Sequence, residues 1–284
     1  GAFALDAGLA VKGLALIERL LTNDIEDVHH KEAVWRDIQQ AHVARWRTLA
    51  DVWTSAYFGN GMSATEYRAL ADYVQGQGSL MSEEQAARFL GHTAVTDNDY
   101  FHWQLAFPEV FFDEYGRSLA DAAGFDAVIG NPPYVRQEQL TPLKPFFSRH
   151  FAKVYAGTAD LFVYFFKQAL DLLRQDGVTS YISSNRWLRA NYATNLRAYL
   201  RQNATIERLI DLGDNRVFAD APDLYPAIHV VQRNVPPAEH IAQAAALNRG
   251  EGLENFAARL NDKLQSVAIH NQGRSEERRV GKEC

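Results

Sequence analysis

"FDAVIGNPPYVR", residues 125–136, decides how this chain is read. A short apolar run ends at Asn131, two prolines follow, and then comes a tyrosine. A continuous apolar run of this length, closed by turn formers, predicts a buried strand. Proline lacks a backbone donor and holds φ fixed, so Pro132-Pro133 ends the hydrogen-bond ladder. The strand therefore stops on a rigid corner that carries one side-chain amide and one aromatic ring.

Downstream, "TADLFVYFFKQALDLLRQDG" (158–177) has apolar residues at helical spacing and predicts a long amphipathic helix stopped by Gly177. "VTSYISS" (178–184) is β-branched and predicts a strand, after which Asn185 is placed to cap a helix reaching about Asn203. "IERLIDLG" (206–213) and "YPAIHVVQR" (225–233) predict two more strands, too close for a helix between them, so the last is expected to run antiparallel. Beyond Pro236-Pro237 the pattern reads as helical and polar. Upstream, 5–22, 26–58, 64–76 and 82–91 predict helices. Strands alternating with helices make the fold class α/β. The expected organisation is a mainly helical block over 1–100, a sheet-forming region over 101–235, and a stretch over 236–273 that leads toward a further region. Residues 274–284, "RSEERRVGKEC", match the translated start of a sequencing adapter and are set aside as non-biological. They hold Cys284, the one cysteine, so without them neither a disulfide nor a cysteine metal site can form.

Composition bounds the chemistry. With 47% hydrophobic and 23% charged residues the chain is an ordinary globular protein. No apolar run approaches a membrane span and no signal segment opens the chain, so a cytoplasmic location is the expectation. The formal net charge is −6, yet residues 131–202 hold ten Lys/Arg against four Asp/Glu. That local excess suits either solvated helix faces or a surface turned toward phosphates. Adjacent His29 and His30 point apart on a helix, and no metal site is expected there.

In an open α/β sheet, ligands bind beyond the carboxyl ends of the strands. Asn131 stands at such an end. Its amide oxygen and the Pro132 carbonyl form two acceptors at fixed spacing, which suits an NH₂ group with two hydrogens to give. Tyr134 adds a flat surface for stacking. The corner could hold an exocyclic amine on an aromatic base or a planar side-chain amide.

"NPPY" after a strand resembles motif IV of S-adenosylmethionine-dependent amino-methyltransferases. "FHWQLAFPEVF" (101–111), "DLFVYFFKQALDLLRQDGVTSYISSNRWLRANYATNLRAYL" (160–200) and "VFADAPDLYPAIHVVQR" (217–233) extend the likeness to large, type IIG-like N6-adenine DNA methyltransferases of restriction–modification systems. The resemblance covers about residues 101–235. It implies a partial Rossmann-like methyltransferase sheet with a helical insertion before it. It also implies site-specific transfer of a methyl group from S-adenosyl-L-methionine to adenine N6, in restriction–modification or phage defence. By position, Asn131 and Pro132 would accept from N6, with Pro133 and Tyr134 completing the motif. Tyr134 and Phe218 would stack on the base, and Leu161 and Phe165 would touch the adenine of the cofactor. The implied partner is double-stranded DNA with a flipped adenine, and a restriction nuclease would be fused or separate. The implied setting is a prokaryotic cytoplasm, beside the nucleoid. The family's Gly-rich cofactor loop is not in this sequence, so the chain reads as a piece of a longer protein and is expected to be inactive alone. Cytosine-N4 and protein-glutamine-N5 methyltransferases share the corner and stay open as readings. So does a non-catalytic DNA-binding or interaction module.

Overall fold

The computed structural model describes residues 2–78, 80–95, 100–213, 215, 217, 218, 225–248 and 254–270. The adapter-like stretch 274–284 lies outside them. The chain divides into two compact units, 1–123 and 124–284.

The first unit is helical: α1 (Ala2–Arg19), α2 (Ile25–Ile38), α3 (Ala44–Ser55), α4 (Ala64–Val74) and α5 (Glu83–Val95). A π-helical turn, Gln39–Val43, joins α2 to α3 and interrupts the helix expected over 26–58. Asp24 caps α2, and Ser63 with Glu66 forms a capping box on α4. Leu49, Val52, Leu70, Met81 and Phe89 form its main apolar core. Asp6 is buried on α1 and receives Arg45 Nε at 2.8 Å and the Trp46 indole N–H at 2.7 Å, with His42 Nδ1 at 3.2 Å. Burial raises its pKa, but these donors outweigh burial and hold the carboxyl below its usual value. The segment 101–111 folds into two single-turn helices, α6 (Trp103–Ala106) and α7 (Pro108–Phe111), the second opened by Pro108.

The second unit is an α/β sheet. Its strands are β1 (Phe125–Gly130), β2 (Leu173–Ser184), β3 (Thr205–Asp211), β4 (Pro226–Gln232), β5 (Glu239–Ala246) and β6 (Gln265–His270). They lie in the order β1-β2-β4-β3-β5-β6. β1 pairs parallel with β2 and β3 with β5, while β4, as expected, runs antiparallel between β2 and β3. The helices are α8 (Lys144–His150), α9 (Phe162–Leu172), α10 (Thr194–Asn203) and α11 (Phe256–Lys263). Phe162, Val163, Phe166 and Leu170 of α9 pack in one core with Tyr181, Trp187, Leu196, Leu200 and Val231. Each such side chain contributes about 1.5–3 kcal/mol through burial.

Four expectations are corrected. β1 is an edge strand rather than a buried one: Val128 packs toward the core, but Ile129 is 81% exposed. A continuous apolar run is normally covered on both faces, and here one face is open. The helix expected over 158–177 spans only Phe162–Leu172, and Leu173 already pairs with Phe125. Gly124 enforces that early stop. Its φ is +124°, and a Cβ built on it would lie 2.4 Å from Arg174 N and 2.6 Å from Leu172 O. Gly177 therefore sits within β2, where register slips past Arg174–Gly177, and Asp176 takes the left-handed conformation at φ 61°. Asn185 does not cap a helix. Its Nδ2 donates to Asp211 (3.1 and 3.2 Å), two 3₁₀ turns follow, and only Thr194–Asn203 is α-helical. Residues 239–246, expected helical, form β5, because pairing with β3 overrides the helix preference of an alanine-rich stretch.

His229 on β4 is fully buried, and its Nε2 accepts the Trp187 indole N–H at 2.9 Å. That bond places the proton of the neutral ring on Nδ1. Burial lowers the imidazole pKa from 6.5 to about 3. The unfolded chain then binds more protons between those two values, and stability falls as pH drops through that window. The loss of urea midpoint between pH 7 and pH 5 is expected to be smaller in His229→Gln, which keeps an acceptor for Trp187 but does not titrate. At Gly124, alanine would meet backbone atoms on the far side of the β1–β2 start. Gly124→Ala is expected to cost at least about 2 kcal/mol, read as a lower thermal midpoint.

Candidate active site at the end of β1

β1 ends at Gly130, which faces Tyr181 across the ladder; a Cβ there would lie 3.2 Å from the Tyr181 ring. Glycine at this point lets the Tyr181 ring pack beneath the corner. Beyond it, Asn131 is exposed, Pro132 buried, Pro133 exposed and Tyr134 half-buried. The buried proline seats the corner in the sheet unit, and the amide of Asn131 is left free to meet a ligand. The Tyr134 hydroxyl donates to Ile182 O on β2 at 3.4 Å, a long bond. Burial pushes this phenol up to about 12, so it stays protonated at neutral pH.

Phe218, which the family resemblance paired with the corner, meets Tyr134. Their ring centroids lie 5.8 Å apart at an interplanar angle of 62°, edge to face. A planar ring stacked between two others needs about 7 Å, twice the ~3.5 Å contact distance. The two rings touch here and leave no slot between them. Leu161 and Phe165 stand one turn apart at the start of α9, both half-buried against the core. The Leu161 N–H donates to Val135 O at 3.1 Å and ties the segment after the corner to the start of that helix.

A cleft of about 520 Å³ opens beside Tyr134. Phe162 and Ser184 form buried parts of its wall, while Arg136, Glu138 and Arg186 are exposed at it. Asp160, Tyr192 and Tyr225 complete it. Burial raises the Asp160 carboxyl pKa, opposed by the Gln137 N–H and the Tyr192 hydroxyl that face it. Burial, reinforced by the Asp160 charge, raises the Tyr192 phenol in turn. Sheet geometry explains why these residues gather. Asn131 follows the carboxyl end of β1, Ser184 closes β2, and Tyr225 precedes the antiparallel β4, so all three lie at one end of the sheet. The Asn185 N–H donates to Tyr225 O at 2.8 Å and joins the last two. Sequence reasoning missed the cleft residues. The strand-end rule, applied only to β1, would have reached Ser184-Asn185-Arg186 had it been applied to β2, but their pairing with Tyr225 depends on the antiparallel register.

Residues 40–218 match the Eco57I restriction-modification methylase family. The chain is 36% identical over 112 residues to Type II methyltransferase M.XhoI of Xanthomonas vasicola, covering 39% of this chain and 20% of that protein. It is 29% identical over 98 residues to Type II restriction enzyme and methyltransferase RM.Eco57I of Escherichia coli, covering 33% and 10%. It is 30% identical over 93 residues to adenine-specific methyltransferase BrxX of Escherichia coli O9:H4 (strain HS), covering 32% and 8%. The matched stretches thus span a fifth or less of these relatives' own length.

The long Tyr134 hydrogen bond sets an expectation for stability. Tyr134→Phe keeps the ring contact with Phe218 and loses only that bond, so it is expected to change the folding free energy by less than about 1 kcal/mol in urea titrations.

Proposed function

We propose, on the premise that this chain belongs to the Eco57I restriction-modification methylase family, that it carries the target-base half of a DNA methyltransferase acting on adenine N6. One observation carries the reading above the others: Tyr134 and Phe218, distant in sequence, meet beside the strand end that presents Asn131 and Pro132. Adenine is favoured over cytosine because one relative is named an adenine-specific methyltransferase.

In this reading the Asn131 side-chain oxygen and the Pro132 carbonyl each accept one N6 hydrogen. The two bonds hold the amine in place and keep its lone pair directed at the incoming methyl group. Tyr134 stacks on one face of the base and Phe218 on the other, which requires the Phe218 edge to swing aside as the base enters. N6 is paired in a duplex, so the base must leave the stack first. S-adenosylmethionine, when bound, supplies an electrophilic methyl group and a neutral thioether as leaving group. The amine gains the methyl and sheds one proton to solvent, so no strong base is needed at the corner. The neutral phenol of Tyr134 takes no part in that proton's path. Leu161 and Phe165 fit the cofactor's adenine as a small apolar surface. Among the described residues no Gly-rich turn follows a strand and opens a helix to hold the sugar and methionine ends of the cofactor. The open edge of β1 is where further parallel strands of such a sheet would pair.

Asn131→Ala in the full-length protein is expected to cut methyl transfer by about 100-fold or more, by analogy with removal of one polar group from a preorganised site. DNA affinity should stay within a few fold. Mass spectrometry of nucleosides from methylated DNA reads the product. Unchanged transfer in Asn131→Ala, or N4-methylcytosine as the product, would overturn the assignment.

A further inference from the structure

The ten basic residues between Asn131 and Gln202 are not equivalent in the fold. Lys167 is paired with Asp171, and Arg174 with Asp126 at 2.6 Å. Arg197 donates to Trp187 O at 2.7 Å and Ala190 O at 2.8 Å, and Lys144 to Gln137 Oε1 at 3.0 Å. These cations are committed to the chain's own structure. Arg136 and Arg186 differ. Both are exposed at the cleft beside Tyr134, and neither has an ion pair or a side-chain hydrogen bond among the described residues. They reach the cleft from different strand ends, Arg136 two residues after Tyr134 and Arg186 two residues after Ser184.

Two acids share the cleft: Glu138 feels the charge of Arg136 and Asp160 that of Arg186, but neither approach closes to an ion pair among the described residues. Glu138 accepts from Gln137 Nε2 at 2.8 Å, and Asp160 faces the Gln137 N–H and the Tyr192 hydroxyl from a half-buried position. Glu138 thus has an uncharged donor of its own, whereas the Tyr192 hydroxyl near Asp160 is buried without a hydrogen-bond partner among the described residues. Each guanidinium is left with its five N–H groups to offer.

We propose that Arg136 and Arg186 clamp the backbone phosphate beside the target base, on the strand that carries it. The proposal rests on the DNA-methyltransferase reading above and deepens it by assigning the phosphate contacts of that site. A planar guanidinium matches phosphate bidentately, and a pair at the mouth of the cleft would brace the backbone while the base turns out toward Tyr134. Such contacts fix position and carry no sequence information. Glu138, exposed at the same mouth, would weaken the clamp through like charge.

The test uses the full-length protein and short duplexes containing or lacking its methylation site, with binding measured across a salt series. Arg136→Ala and Arg186→Ala should each weaken binding severalfold on both duplexes and make the log K against log salt slope shallower by about 0.9. Arg136→Lys and Arg186→Lys should keep the slope, and Glu138→Gln should tighten binding. Alanine variants with unchanged slope and affinity would overturn the clamp, as would a loss confined to the specific duplex, which would mean base readout. Failure of the parent reading looks different: a wild-type protein that neither binds duplex DNA nor methylates it.

Discussion

The parallel pairing of β1 with β2, from Ala127 opposite Val178 to Gly130 opposite Tyr181, is the constraint on which the rest of the sheet unit depends. It begins where Gly124 presses against the α9–β2 junction, closer than any side chain would allow. It ends where Pro132 has no N–H to continue the ladder. Between those two limits the corner has one place to emerge. The register then puts Ser184, the last residue of β2, and Tyr225, just before the antiparallel β4, at the same end of the sheet. A one-residue slip would turn Val128 out and Ile129 in, and would reverse which face of the strand meets the core.

The corner combines rigidity with access. Pro132 is buried and Asn131 exposed, so the amide is presented by a backbone that cannot follow it outward. Tyr134 is anchored more by packing than by hydrogen bonding, since its hydroxyl bond is long and its phenol is shifted by burial. Phe218 leans on it edge to face. Such a pair is worth about 0.5–1.5 kcal/mol beyond the area it buries, a sum that stacking on a base can replace. The same unit holds a second kind of commitment. His229 is kept neutral in the core by burial, with Trp187 fixing its tautomer, so the sheet beneath the site resists mild acid less well than it resists neutral conditions.

Periodicity read some elements correctly and mistook others, for identifiable reasons. Leu172 and Leu173 are both buried, one as the end of a helix and the other as the start of a strand. Helical spacing continues through both, so no local signal marks the change. The alanine-rich Glu239–Ala246 favours a helix in isolation, and small side chains are also what lets Ala242, Ala244 and Ala245 pack as buried strand residues. Asn185 has the chemistry of a cap, but Asp211 takes its amide first. Arg136 and Arg186 were visible only as part of a charge excess. What sets them apart is that they stand at the cleft beside Tyr134 without an ion pair, while Lys144, Lys167, Arg174 and Arg197 have acceptors within the fold.

Phe218 entered only through the family resemblance; the sequence alone determined the α/β class, the strand that stops at Asn131, the antiparallel last strand of the central four, and the Asn-Pro-Pro-Tyr corner. These follow from local rules: apolar runs, donor loss at proline, and residue chemistry at a strand end. Only the tertiary structure decided that β1 lies at the edge, that α9 stops at Leu172, that Tyr134 meets Phe218, and which cations remain unpaired beside them. Each of those depends on contacts between segments far apart in the chain, where register and close approach choose among options that local preference leaves equal.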